Sequence, residues 1–150
     1  MLVEAQLVIK APKPAVWAAV ADIVNSPSII SGIKSVEIVD RPASGLVGLR
    51  WRETRILFGE PATVEKWVTE AVENQFYRTR AEDNGFVFLT TIRLAEGSGG
   101  TVVTSSHDSQ PQTLAAKLQA IPMGLFFKGV IRKAILQDLN DIKVSVERTQ

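Results

Sequence analysis

The chain has 150 residues, and its 17 Lys and Arg almost cancel its 16 Asp and Glu, leaving a net charge of +1 with the single histidine neutral. The absence of cysteine excludes disulfides, thiolate metal sites, CxxC redox chemistry and cysteine nucleophiles, and one histidine leaves no HExxH motif and no histidine cluster for zinc or iron. The 45% apolar content excludes a disordered chain, the balanced charge gives no global pull toward nucleic acid or an anionic membrane, and the length fits one domain, residues 1–150.

Residues 2–10 alternate, with Val3, Ala5, Leu7 and Ile9 on one face, and this predicts a half-buried strand. Pro12 and Pro14 end it and suit a first helical turn. Val16, Trp17, Val20 and Ile23 recur at helical spacing, so a short helix is expected over residues 12–24, with Trp17 as its plug. Ser26 is placed to cap a second short helix through Ile30, and Gly32 ends that piece. Six strands follow, over residues 33–41, 46–58, 62–71, 76–81, 86–94 and 101–108. Hairpin-length turns join them, and Asn84-Gly85 is the strongest because both residues accept positive φ cheaply. Such connections make an antiparallel meander. Trp67 is out of phase with Val64 and Val68, which requires a bulge or an exposed ring.

Residues 113–147 read as a long helix with Thr113 as its N-cap. Its apolar stripe is Phe127, Ile131, Ile135, Leu139, Ile142 and Val146. Pro122, Gly124 and Gly129 predict a kink near residues 121–124. Residues 121–127 are the richest apolar stretch, too short and too interrupted for a membrane span. No leader pattern opens the chain, so a cytoplasmic protein is expected.

The order of elements implies an α+β architecture: two short helices after strand 1, and a seven-stranded antiparallel sheet wrapped around a long C-terminal helix. The last helix is the only element long enough to cover the apolar face of the sheet. A twisted sheet curls around it, but one helix cannot touch every strand. The gap between them is a ligand cavity with apolar walls.

Several segments carry a resemblance. Ile9-Lys10-Ala11-Pro12-Lys13-Pro14-Ala15-Val16-Trp17 resembles the opening of the START-like, or Bet v 1-like (SRPBCC), superfamily, in its bacterial polyketide cyclase/dehydrase-type branch. Residues 47–55, with Gly48, resemble the second strand of that family's meander, Gly99-Gly100-Thr101-Val102-Val103-Thr104 its last hairpin, and residues 138–147 its C-terminal helix ending. The resemblance implies a helix-grip fold and a small hydrophobic or aromatic ligand. The family includes cyclases, lipid carriers and hormone receptors, so three readings stay open. One is a polyketide cyclase or aromatase-like enzyme using metal-independent acid/base chemistry, another a lipid or isoprenoid carrier, and the third a protein-interaction module.

The residues narrow the site. On strand 46–58, Leu49, Trp51, Glu53, Arg55 and Leu57 share the more apolar face. If that face is inward, Glu53 and Arg55 enter the cavity as a pair, Arg55 holding an oxyanion and Glu53 moving a proton; otherwise they are a salt bridge at a strand end. His107 is the only side chain titrating near neutrality and is either a third acid/base candidate or a rim residue. Ser106 and Asp108 point to the opposite face from His107, so the local Ser/His/Asp grouping is not a hydrolase triad. Phe86, Phe88, Thr90, Ile92 and Leu94 form the inward face of their strand, and Phe76 and Arg78 are taken as inward on the strand before. From the helix, Met123, Phe127 and Ile131 complete the expected ligand contacts, and residues 121–128 are either kinked core, a gate, or a transient membrane contact. No cofactor or metal is expected, and the scattered arginines make no nucleic-acid stripe.

Overall fold

Alternating apolar residues build β1 (Leu2–Ile9) from the computed structural model's first residues, with Val3 and Ile9 buried. Residues 1–120 and 127–150 are described in full. Helix α1 (Lys13–Val20) starts after Pro12 and is shorter than the expected 12–24. A single 3-10 turn, Ser26–Ser28, follows it. Ser26 does not cap that turn: its hydroxyl donates back to the Ile23 carbonyl at 2.7 Å, and Asn25 holds the cap position.

The meander comprises β2 (Ile33–Asp40), β3 (Arg50–Leu57), β4 (Glu60–Val72), β5 (Phe76–Asp83), β6 (Phe86–Gly97) and β7 (Gly100–Pro111). Together with β1 they form one antiparallel sheet in the order β1-β7-β6-β5-β4-β3-β2. Strand β3 starts at Arg50 rather than at residue 46, because Gly48 adopts φ 94° and the Leu49 amide closes a turn onto the Leu46 carbonyl. The Asn84-Gly85 turn has φ 50° and 79°, as its composition demands. Trp67 is a half-buried ring on the outer face, with the Arg50 guanidinium 4.3 Å from its centroid.

Helix α2 (Leu114–Arg148) begins at Thr113, whose hydroxyl accepts the Ala116 amide at 3.1 Å. Its buried stripe is Ile135, Leu139, Ile142 and Val146, packed with Val3, Ile9, Val16, Val20, Leu94 and Val103. Phe127, expected on this stripe, is 36% exposed. The kink expected at residues 121–124 lies outside the described residues, as does Met123. The helix lies along the β1 edge: Arg132 Nε donates to the Glu4 carbonyl and Lys143 Nζ to the Val8 carbonyl. A second, smaller core of Ile23, Leu49, Trp51 and Val68 sits toward the other edge.

The two edges meet their constraints differently. At β1, the backbone of Gly100 runs so close that an added Cβ would stand 2.1 Å from the Ile9 carbonyl oxygen. Backbone cannot yield there as a side chain can. Gly100→Ala is expected to cost about 1–3 kcal/mol in urea unfolding, while thermal unfolding stays cooperative.

Candidate functional site

Cross-strand register brings the inward residues into one row: Val3 faces His107, His107 faces Thr90, Thr90 faces Thr79, and Thr79 faces Val68. Beyond it, Trp51 pairs with Lys66 and Glu53 with Val64. A cavity of about 90 Å³ opens over this row. Its polar lining is Ser26, Glu53, Arg55, Lys66, Thr79, Thr90, Ser105, His107 and Asp138, and its apolar lining includes Val20, Ile23, Trp51, Tyr77, Ile92 and Leu139. Residues from both cores contribute, so the space lies where neither core closes. A larger apolar cleft of about 330 Å³ adjoins it, lined by Met1, Val3, Phe86, Phe88, Pro111 and Ile131 among others. Thr90 and His107 line both spaces.

Glu53 is 5% exposed and holds the polar end together. Its Oε2 accepts from Arg55 Nε at 2.9 Å and from Lys66 Nζ at 3.0 Å, and its Oε1 accepts from Trp51 Nε1 at 3.4 Å. Arg55 in turn donates through Nη1 and Nη2 to the two carboxylate oxygens of Asp138, at 3.2 and 2.9 Å. Gly32 leaves room for this pair, since a Cβ there would stand 3.0 Å from Arg55 Nη1. Burial alone would raise the Glu53 pKa, but the charges and hydrogen bonds of Lys66 and Arg55 outweigh it and hold the carboxyl at about 2. Burial works against the Arg55 charge too, and Asp138 and Glu53 overcome it, raising its pKa. Among the described residues no buried side-chain nitrogen or oxygen lacks a partner.

His107 is half-buried, with Nε2 3.1 Å from Ser105 Oγ and Nδ1 3.5 Å from Thr90 Oγ1. Burial pushes its pKa down to about 4; the Lys66 and Arg55 charges act in the same direction and Glu53 opposes them. The imidazole is therefore neutral at pH 7, offering one N–H and one lone pair. Tyr77 donates to the Val20 carbonyl at 3.0 Å, and burial, aided by the Glu53 charge, raises its pKa. Two carboxylates thus face two cations, and the cavity carries no excess charge. It suits a neutral polar group better than an ion.

The structure brings Glu53, Arg55, His107, Trp51, Thr90 and Ile92 to the cavity and Phe86, Phe88 and Ile131 to the cleft. Three expectations are corrected. Phe76 and Arg78 lie on the outer face: the Phe76 ring lies under the Arg93 guanidinium, and Arg78 Nε donates to Thr91. The inward residues of β5 are Tyr77 and Thr79 instead. Leu49 is buried in the smaller core and lines neither space, and Phe127 packs edge-on against Phe58 at the surface. Lys66, Asp138 and Tyr77 were missed. Lys66 shares the phase of Val64 and Val68, and Asp138 stands three residues after Ile135 and four before Ile142, so both positions were inward by periodicity. Among the described residues no three His, Asp or Glu side chains converge as a metal site.

These titrations make stability depend on pH. Both folded-state pKa values, near 4 for His107 and near 2 for Glu53, lie below the ordinary 6.5 and 4.5. The unfolded chain then binds more protons in acid, and stability falls as pH falls. His107 is the only histidine, so the loss between about pH 6.5 and about pH 5 is its own, with a limiting slope of about 1.4 kcal/mol per pH unit. Urea unfolding across that window should show this slope, and His107→Gln should flatten it. Asp138→Ala should cost about 2 kcal/mol by the same assay, because it strips the partner from a largely buried guanidinium.

Comparison with known proteins places this geometry. The fold matches a START superfamily protein of Mycobacterium smegmatis with TM-score 0.81 at 16% identity, covering 99% of each chain. It matches a protein of Thermus thermophilus with TM-score 0.78 at 19% identity, covering 100% of this chain and 99% of that one. It also matches the Zhui aromatase/cyclase of Streptomyces sp. R1128 with TM-score 0.76 at 18% identity, covering 99% and 94%. A search of curated protein sequences finds no match. The family model for polyketide cyclase/dehydrase and lipid transport matches residues 2–147, and with a helix-grip sheet, a C-terminal helix and a cavity between them, the chain belongs to that family.

Proposed function

We propose that the chain binds a small, uncharged aromatic or polyketide-like molecule, its apolar body in the cleft beside Phe86 and Phe88 and an oxygen at Thr90 and His107. The observation that carries this reading is that Thr90 and His107 line both the apolar cleft and the polar cavity. A ligand lying in the cleft meets them at its inner end. Their hydroxyl and imidazole can each give or take a hydrogen bond, so a ketone, enol or phenol is equally served. A carboxylate is not, because Glu53 and Asp138 already balance Arg55 and Lys66, and a third anion would leave excess buried negative charge. The four charged groups also argue against a carrier for wholly apolar lipids.

For an enzyme of this class, the acid/base steps would fall to His107. Glu53 is a weak proton acceptor because its carboxylate is so strongly stabilised, and Arg55 is occupied by Glu53 and Asp138. Glu53, Arg55 and Lys66 would supply a fixed field beside the substrate oxygen rather than carry protons. Lys66 has further N–H donors available at the cavity wall.

Isothermal titration calorimetry with naphthalene, 2-naphthol and 2-naphthoate tests the binding reading. 2-Naphthol should bind roughly tenfold more tightly than naphthalene, one hydrogen bond's worth, with 2-naphthoate weakest. Thr90→Val should shrink the difference between the first two. Equal affinities for all three, or preference for the carboxylate, would overturn it.

A further inference from the structure

We propose that the tip of the β3–β4 hairpin and the exposed Phe127, Lys128 and Val130 of α2 form a docking surface for an anionic lipid bilayer. The tip is Ile56, Leu57 and Phe58, exposed by 49%, 51% and 80%. A hairpin with one face on the core normally turns polar side chains outward, yet here both faces of the tip are apolar. The turn itself is Phe58-Gly59, with φ 52° and 81°. The same molecule builds an equivalent turn from Asn84-Gly85, with φ 50° and 79°. Asparagine tolerates this left-handed conformation and phenylalanine does not, so the sequence accepts backbone strain to hold an aromatic ring in water. The ring lines neither the cavity nor the cleft.

Phe58 leans edge-on to Phe127 of α2, ring centroids 5.9 Å apart. The helix also exposes Val130, and Leu114 and Leu118 nearer its N-terminus. From Thr113 to Gln137 the sequence contains Lys117, Lys128, Arg132 and Lys133 and no acidic residue, although the chain as a whole is nearly neutral. Protruding apolar side chains set among cations match the acyl boundary and headgroups of an anionic leaflet. Among the described residues no helix is long and apolar enough to cross a bilayer; the surface rests on one. Docking of this kind is independent of what occupies the cavity.

Co-sedimentation with phosphatidylcholine vesicles, alone or with about one-third phosphatidylserine, tests the surface. Binding should need the anionic lipid and weaken as salt is raised. Phe58→Asn should lower partitioning roughly tenfold, the loss of one inserted aromatic side chain. It should leave the fold intact or raise Tm, because asparagine suits the turn. Lys128→Glu with Lys133→Glu should lower it further. Partitioning indifferent to lipid charge, or unchanged in Phe58→Asn, would overturn the proposal. So would sedimentation velocity showing that Phe58 instead holds two copies of the chain together.

Discussion

A single helix cannot cover a seven-stranded sheet, and the Arg55–Asp138 pair is how this molecule meets that constraint. Helix α2 lies on the β1 edge, where Ile135, Leu139, Ile142 and Val146 close the main core. Strand β3 is near the opposite edge. A guanidinium spans the difference, with two N–H groups on the Asp138 carboxylate and a third on Glu53. A planar, fixed fork is suited to such a span, and a lysine in its place could not hold both carboxylates in one geometry. Ser31 reinforces the junction by donating its amide and hydroxyl to Asp141, one helical turn beyond Asp138. The space these links hold open is the polar cavity.

Holding a charge in that space requires a second, and the second requires a third. Glu53 is almost fully buried, so it is tolerable only with Arg55 and Lys66 against it. Two cations on one carboxylate would leave an excess, and Asp138 removes it. The closed set is neutral, and the neutral His107 completes it. The chemistry left for a ligand is dipolar: hydroxyls at Thr90 and Ser105, an imidazole, and spare donors on Lys66. A charged lining is therefore compatible with the uncharged ligand proposed above.

The sequence made the architecture legible because the period-2 strands, the Asn84-Gly85 turn and the Thr113 cap are local signals with one physical solution each. The inward placement of Glu53 and Arg55 was one of two readings the sequence left open: Trp51 and Leu49 mark the apolar phase of that strand, but the partners that make buried charge tolerable are distant in sequence. Strand β5 was not legible. Phe76 marks one phase as apolar but shares it with Arg78 and Arg80, whereas Tyr77, Thr79 and Ala81 carry no charge, so the aromatic and the charges point to opposite phases. Its phase is fixed instead by pairing, Tyr77 against Ile92 and Thr79 against Thr90, and by an irregularity in β4 between Val68 and Glu70. Asp138 and Lys66 had the right phase but the wrong chemistry for a core position, and only their cross-chain partners explain why charge is tolerated there. Partners distant in sequence are invisible to periodicity.

Helix α2 is one element with two environments. Its rear half contributes four buried side chains to the main core, whereas Ala116 is the buried residue among the described positions of its front half. That end adjoins the apolar cleft through Ala120 and Ile131, while the rear end carries Asp138 and the polar lock. The cleft and the polar cavity therefore meet at Thr90 and His107, which line both, and the charged network of Glu53, Arg55, Lys66 and Asp138 lines the polar cavity alone.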